Sequence, residues 1–297
     1  MKNYTNCPIC KESKFHITLT CKDYTVSKKE FNITQCNSCG FEFTNPIPLE
    51  SEIGSYYESE EYISHSNTSK GLINKLYQTV RSQTLKEKIN ILKNLSSKRE
   101  LLDIGSGTGE FLNEANKSNY NTIGIEPSKK ARDNSIKNYN LNVSEEPYLK
   151  ELKDNSFDFI TMWHVLEHVY HLNDRVKEIY RLLSNGGFAI IAVPNCESYD
   201  AKKYKEYWAA YDLPRHLYHF KQKDITSLFK QNGFEYVKTL PMRFDSYYVS
   251  MLSEKYKNNS LGLIKAFYNG FISNLKASAG GTPGYSSQIY IFRKTEK

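Results

Sequence analysis

The chain has 297 residues, a formal net charge of +7 and six cysteines. This length accommodates one large domain with an appendage, or two modest domains. No stretch approaches the roughly 18 to 20 apolar residues that a membrane-spanning helix requires, and the first residues lack the apolar segment of a secretion signal. We therefore expect a soluble, cytoplasmic protein. Because the lysines are scattered, the positive charge favours an anionic small substrate over nucleic acid as the partner.

Four of the six cysteines form two Cys-x-x-Cys pairs near the start of the chain. Their positions are Cys7, Cys10, Cys36 and Cys39. Each pair lets two thiolates converge on one ion, so the pattern predicts a tetrahedral zinc site. Two disulfides would need an oxidising compartment, and a thioredoxin-like redox pair would need a strand before the first pair. Cys21 and Cys196 have no partner by spacing, and we expect them to be buried as small apolar residues.

The spacing of apolar residues and the positions of prolines and glycines divide the chain into four segments. Residues 1–48 are predicted to form the zinc module, which ends at the prolines of "NPIPLE". Residues 49–95 are predicted to form a lid or linker and then a helix, because apolar residues recur at helical spacing in their second half. Residues 96–240 alternate strands with helices, and residues 241–297 contain an inserted helical pair before a final strand. This order predicts a doubly wound, Rossmann-like, mostly parallel α/β sheet preceded by a zinc ribbon.

Capping signals mark where two helices of the core are expected to begin and end. Ser128 is a candidate N-cap after the strand "NTIGI". Asn173 is the candidate N-cap of the helix in "NDRVKEIYRLLSNGG", and Gly186 is its predicted stop.

The stretch "LLDIGSGTGE" at 101–110 places three glycines two apart after a short apolar strand. A nicotinamide-binding turn would be Gly-x-Gly-x-x-Gly and would hold pyrophosphate at the helix start. Here the third glycine comes one place early and Glu110 follows it. Asp103 and Glu110 together favour a ligand with positive charge, such as an ammonium and a sulfonium, although the helix dipole alone would also explain Glu110. Glu126, at the end of the next strand, is placed to accept both hydroxyls of a ribose.

The segments "LLDIGSGTGEFL", "GIEPS", "FDFITMWHVLEHV" and "RLLSNGGFAIIAVPN" together resemble the ordered motifs of class I S-adenosylmethionine-dependent methyltransferases, over about residues 72 to 240. The resemblance implies an enzyme that binds S-adenosylmethionine. The implied cofactor-binding residues are Asp103, Gly105, Gly107 and Gly109 around the amino-acid part, Glu126 at the ribose, Glu145 or Glu146 near the adenine, and Trp163 and His164 at the strand end beside the cofactor.

The segment "HVLEH" at 164–168 also fits the His-x-x-Glu-His pattern of one group of zinc proteases, in which a helix presents two metal ligands one turn apart. We do not expect that activity, because the pattern follows a strand at the cofactor edge of the sheet and no long helix surrounds it. The methyltransferase motifs account for the same residues.

A second histidine cluster, "YDLPRHLYHF" at 211–220, follows the fifth strand of the core. With the zinc-ribbon start, it resembles bacterial methyltransferases with N-terminal zinc modules, among them sugar C-methyltransferases. In those a Glu-His pair occupies this segment and its His is the general base; His216 matches that base, and Arg215 replaces the Glu. The candidate catalytic residues are His216, His168 and Tyr62, in that order. Alternatively, His216 has only a structural hydrogen bond, or grips an anion together with Arg215.

Three classes of function are consistent with the sequence. The first is methyl transfer to a small acceptor, anionic or sugar-like, such as a sugar or nucleotide-sugar. The second is an RNA methyltransferase whose zinc module binds nucleic acid. The third is an assembly protein that binds the cofactor without turnover. A steep salt dependence of RNA binding would distinguish the second from the first.

Overall fold

A computed structural model describes residues 1–57, 72–280 and 284–295. The described strands are β1 (Phe15–Lys22), β2 (Glu30–Cys36), β3 (Glu42–Thr44), β4 (Glu100–Ile104), β5 (Asn121–Ile125), β6 (Val143–Ser144), β7 (Phe157–Trp163), β8 (Leu183–Pro194), β9 (Tyr218–His219), β10 (Phe234–Pro241) and β11 (Ser287–Lys294). The described α-helices are α1 (Leu72–Leu95), α2 (Glu110–Lys117), α3 (Lys129–Tyr139), α4 (Leu172–Leu182), α5 (Tyr199–Tyr204), α6 (Gln222–Gln231), α7 (Asp245–Tyr256) and α8 (Gly262–Ser278).

The larger sheet has seven strands in the order β10-β11-β8-β7-β4-β5-β6. The five strands from β8 to β6 are parallel, and β11 runs antiparallel to both β8 and β10. Helix α1 packs its Ile89 and Leu92 on one face of this sheet. On the other face lie Val176 of α4 and Leu228 of α6. Helices therefore cover both faces, and the predicted doubly wound, mostly parallel fold is confirmed.

The two cap predictions for α4 are wrong, whereas that for α3 is right. The hydroxyl of Ser128 accepts a hydrogen bond from the backbone N–H of Ala131 at the start of α3. The side-chain amide of Asn173 instead donates to the carbonyl of Pro8 at 2.7 Å, inside a helix that has already begun. Gly186 lies within β8 rather than after α4, because Leu183 already pairs with β7. Sheet pairing thus ends the helix before the glycine is reached.

The N-terminal zinc module shares its sheet with the core of the protein. Its strands β1, β2 and β3 are extended by β9, so that Phe43 pairs with Tyr218. Phe41 and Phe43 belong to the same hydrophobic core as Leu217 and Phe220. The domain boundary near residue 48 stays a prediction, and the segment before it packs directly against the loop that precedes β9.

Helices α7 and α8 form the predicted helical pair before the final strand β11. Helix α8 also presents large apolar side chains to solvent, each more than half exposed: Ile264, Phe267, Tyr268, Phe271 and Leu275. Among the described helices, none is long and apolar enough to cross a bilayer.

Candidate functional site

The four cysteines of the two pairs converge at one point. The Sγ atoms of Cys7 and Cys39 are 3.7 Å apart, and those of Cys10 and Cys36 are 3.5 Å apart. Sulfurs bound to one tetrahedral zinc ion at about 2.3 Å lie roughly 3.7 to 3.8 Å from one another, whereas a disulfide would need about 2.0 Å. Gly40 adopts the left-handed conformation that closes the second pair's turn. The four thiols fit a zinc ion.

Cys21 and Cys196 are buried in a different hydrophobic cluster, as their spacing predicted. Burial raises the pKa of the Cys21 thiol to about 12. Both behave as small apolar residues rather than as ligands.

The glycine turn between β4 and α2 leaves open space beside its backbone. A Cβ at Gly105 would overlap the side chain of Val165, and one at Gly109 would overlap Leu141 and Ser135. A Cβ at Gly107 would meet nothing within 4 Å. All three glycines have positive φ, so the backbone here is both tightly packed on its inner side and exposed on its outer side. A ligand can approach the chain at Gly107.

Asp103 lies at the end of β4 with 1% of its surface exposed. Thr161 on the neighbouring strand donates a hydrogen bond to it at 2.6 Å. Burial raises the pKa of Asp103 to about 7, although the Thr161 hydrogen bond and the charge of Lys88 act in the opposite direction. A cationic ligand beside this carboxyl group would stabilise its ionised form.

Glu110 does not contribute free negative charge as the sequence led us to expect. Arg81 of α1 forms an ion pair with it, and the hydroxyl of Thr108 donates to the same carboxylate. The pair therefore joins α2 to α1, in addition to any effect of Glu110 on the helix dipole.

Glu126 reaches back from the end of β5 to the glycine turn. Its carboxylate accepts hydrogen bonds from the backbone N–H groups of Gly107 and Ser128, both at 2.8 Å. A carboxylate has about four acceptor positions, so two remain for the hydroxyls of a ligand. Of the two candidates for the adenine, Glu145 is mostly exposed and Glu146 pairs with Arg175.

Trp163 is the last residue of β7 and His164 follows it, but the two side chains face different neighbours. The Trp163 ring packs edge-on against Phe111 of α2, and Lys88 lies 4.1 Å above it. His164 is held between two carboxylates, with Nε2 3.0 Å from Asp245 and Nδ1 3.4 Å from Glu167. Burial opposes a charge on His164, but these two carboxylates outweigh it and raise the pKa of the imidazole.

His168 and His216 meet at the carboxyl ends of the strands. Their ring centroids are 4.5 Å apart and their planes are nearly perpendicular. Nδ1 of His216 is 2.9 Å from the carbonyl of Ala210, and Nδ1 of His168 is 3.0 Å from the carbonyl of Arg215. A carbonyl can only accept, so each Nδ1 bears the proton and each Nε2 offers a lone pair. The hydroxyl oxygen of Tyr57, 2.9 Å from Nδ1 of His168, then accepts from the same N–H. Burial lowers the pKa of His216 well below its usual value, which keeps this imidazole neutral.

The third candidate catalytic residue is Tyr62, and the second histidine of the segment at 211–220 is His219. Tyr62 lies outside the residues that the structure describes. His219 is structural, because its Nε2 contacts the hydroxyl of Thr44 at 3.1 Å and its burial lowers its pKa to about 3.

Arg215 is engaged by the protein itself. Its guanidinium is 1% exposed and donates to Asp212, to Asp23 and to the carbonyl of Tyr56. These bonds occupy Nε and both terminal nitrogens, so the side chain is not oriented to grip an acceptor. The anion grip suggested for Arg215 and His216 together gains no support from this geometry.

Two cavities open side by side along the carboxyl ends of the strands. The first, of about 520 Å³, is bordered by Gly105, Pro127 and Glu146. The second, of about 560 Å³, is bordered by His216 and by Asp245 of α7. His168 lines both cavities. The arrangement can hold two ligands at once, with a histidine at their boundary.

Three residues at this site were not identified from the sequence: Lys88, Glu167 and Asp245. The position of Lys88 on the buried face of α1 could have been predicted from the sequence, because it lies three residues after Leu85 and four before Leu92 in the apolar stripe. Glu167 stood inside "HVLEH" but was considered only as part of a protease pattern. Asp245 had no signal, since only the packing of α7 over the sheet brings it to His164.

Comparisons with known proteins agree with this geometry. The model of a family described as a methyltransferase domain matches residues 77–239. A protein of Methanocaldococcus jannaschii, described as uncharacterized, is 29% identical over 153 residues, which cover 52% of this chain and 73% of that protein.

Solved structures with TM-scores of 0.50 share the fold. One is a SAM-dependent methyltransferase from Archaeoglobus fulgidus, 17% identical, and the match covers 75% of this chain and 100% of that one. Another is phosphoethanolamine N-methyltransferase 2 from Haemonchus contortus, in complex with S-adenosyl-L-methionine. It is 18% identical, and the match covers 71% of this chain but only 53% of that one.

Proposed function

This chain belongs to the family of methyltransferase domains, and we propose that it transfers a methyl group from S-adenosylmethionine to a small, sugar-like or anionic acceptor. The proposal rests above all on the two adjoining cavities that share His168. The first borders the glycine turn and would hold the cofactor. The second would hold the acceptor, next to His216.

The residues around the first cavity suit the cofactor's charges. The buried carboxyl of Asp103 is available to the ammonium of the amino-acid part, and Glu126 retains acceptor positions for the ribose hydroxyls. The open space at Gly107 lets the cofactor lie against the backbone. When bound, S-adenosylmethionine supplies a methyl group already activated on a sulfonium, so the protein's main task is to hold the acceptor atom in line with it.

The second cavity favours a small, hydroxyl-bearing acceptor. Tyr248 and Tyr256 supply flat surfaces, and Asp212 and Asp245 supply hydrogen-bond acceptors. Lys255 also lines it and adds positive charge, which favours an acceptor with a phosphate or carboxylate group. A cavity of about 560 Å³ suits a small molecule rather than a polymer. A zinc site made of four thiolates favours a reducing compartment such as the cytoplasm, where thiols are not oxidised to disulfides.

The test is methyl transfer from radiolabelled S-adenosylmethionine into fractionated lysate, followed by separation of small molecules from RNA and protein. We expect the label in the small-molecule fraction, resistant to ribonuclease. Label in RNA, with binding that weakens steeply with salt, would favour the nucleic-acid alternative. Tight cofactor binding without transfer to any fraction would contradict the proposal.

A further inference from the structure

A cluster of three potential metal ligands lies at the boundary between the two cavities. One ligand atom from each of Glu167, His168 and His216 lies within 4.8 Å of the other two. Glu167 and His168 belong to the short 3-10 turn Leu166–His168 after β7, and His216 comes from the loop before β9. The backbone N–H of Leu217 donates to the carbonyl of Glu167 at 2.7 Å, which fixes one segment against the other.

The carboxylate of Glu167 has only a shared charged partner. Its side chain is 0% exposed, and neither carboxylate oxygen accepts a hydrogen bond of normal length from any described residue. Its ion-pair partner His164, with Nδ1 at 3.4 Å, also pairs through Nε2 with Asp245. One imidazolium shared by two carboxylates leaves a net negative charge in a buried place, which a metal cation beside Glu167 would neutralise.

Both histidines present the atom that a metal would use. Because Nδ1 of each donates to a backbone carbonyl, each Nε2 lone pair is directed away from that bond. Histidine ligands of metals almost always donate their other ring N–H in this way, which fixes the ring and its tautomer. Ligand atoms of one ion are about 3 to 4 Å apart. Small side-chain rotations that move each atom by about 1 Å would therefore bring the three atoms to this separation.

We propose that Glu167, His168 and His216 bind a divalent transition-metal ion whose open positions face the acceptor. Two imidazoles and one carboxylate form a set suited to a first-row divalent ion, and three protein ligands leave positions for water or substrate. The site is distinct from the cysteine site and differs from the protease pattern, because its second histidine is His216 and not His164.

The ion gives the acceptor cavity a specific chemistry, and this part of the inference rests on the proposed function. An acceptor hydroxyl bound to the ion loses its proton to solvent more readily, because the cation stabilises the alkoxide. The oxygen's electron pair then forms the bond to the methyl carbon, and the electron pair of the sulfur–carbon bond stays on sulfur. The products are a methyl ether, S-adenosylhomocysteine and one proton. The acceptor class is therefore a hydroxyl compound.

Metal binding is tested directly on the full chain, with zinc already at the cysteines and Co²⁺ as the probe. We expect one Co²⁺ per chain, with ligand-field absorption but no thiolate-to-metal charge transfer. Glu167→Gln and His216→Ala should weaken Co²⁺ binding by about 100-fold or more, since even neighbours of metal ligands contribute about 10- to 100-fold. His16→Gln, at an exposed histidine of the zinc module, should leave it unchanged.

Glu167→Gln is the decisive variant, because it keeps the size of the side chain, leaves His164 paired with Asp245 and should therefore keep the thermal stability of the metal-free protein. Failure of the wild type to take up Co²⁺ at about 1 mM, uptake at the cysteines alone, or equal uptake by both variants would overturn the site. Methyl transfer at an undiminished rate without this ion would overturn its role in the reaction and leave the proposed function intact. Co²⁺ uptake without any methyl transfer would do the reverse.

Discussion

At Asp103, burial and ligand charge act on the same carboxyl group. Burial raises its pKa to about 7, and a bound ammonium needs the ionised form. Cofactor affinity should therefore fall by up to about tenfold per pH unit below about pH 7. Burial lowers the pKa of Lys88 to about 8, so this ammonium loses its charge and repels the ligand less as the pH rises, and the affinity should increase further up to about pH 8. Calorimetry between about pH 5.5 and 8.5 measures this dependence.

Asp103→Asn provides the control for that pH dependence. The amide has nearly the same shape and does not titrate, so we expect weak cofactor binding with a much smaller pH dependence than in the wild type between about pH 6 and 7.5. Equal slopes in the wild type and the variant would mean that another group causes the effect.

Two glycines with the same conformation separate backbone strain from ligand contact. Gly107 and Gly280 both have positive φ and open space where a Cβ would stand. Alanine at either position should lower the free energy of unfolding by about 1 to 2 kcal/mol. Only Gly107→Ala should also weaken S-adenosylmethionine, by at least about tenfold, since its methyl would enter the cofactor's space. Urea unfolding and calorimetry measure the two effects, and equal cofactor affinity in both variants would contradict this placement.

Between elements, Arg215 joins three separate segments. It pairs with Asp212 in its own loop and with Asp23 between β1 and β2, and it donates to the carbonyl of Tyr56. Arg215→Met leaves two carboxylates without their cation and should lower the free energy of unfolding by about 3 to 5 kcal/mol. Lys129→Met, which removes the cation of an exposed pair with Asp133, should change it by less than about 0.5 kcal/mol. Similar effects of the two substitutions in urea would show that the network adds nothing.

The same network predicts a loss of stability in acid. Burial alone would raise the pKa of Asp23, but Arg215 and hydrogen bonds from Ser27 and Val26 outweigh it and hold the pKa below its usual value. A depressed pKa stabilises the fold above the unfolded value of about 3.9, and the stabilisation is lost as pH falls below it. Asp23→Asn should therefore flatten the fall in stability below about pH 4. Urea unfolding at several pH values provides the measurement, and an unchanged slope would exclude Asp23 as its source.

Across the whole molecule, the zinc site supports part of the acceptor cavity. Strand β3 follows the cysteines and pairs with β9, next to His216. Zinc binding is coupled to folding in such modules. Chelation should increase hydrogen exchange in residues 1–48 and also in residues 212–220, while β4 and β5 stay protected. Exchange confined to residues 1–48 would show that the module folds separately from the acceptor loop.

The parallel core and the place of the glycine turn beside a cavity could be predicted because they depend on local signals. Glycine spacing fixes the turn after β4, apolar runs fix the buried strands, and an acid at a strand end is recognisable without knowing its neighbours. The cysteine pairs are equally local, since each one is a single short turn. Helix ends were less predictable: α4 ends at Leu182, before Gly186, because the next residue pairs in the sheet.

The sequence by itself determined the fold class, the cysteine site and the glycine turn flanked by Asp103 and Glu126. Each of these follows from residues close together in the chain. Only the tertiary structure decided what surrounds the acceptor. It paired Glu110 with Arg81, engaged Arg215 with Asp23, and set Glu167 beside His216. These contacts join residues far apart in the chain, and their positions depend on how β9, α1 and the 3-10 turn pack together. Spacing along a sequence contains no information about such packing.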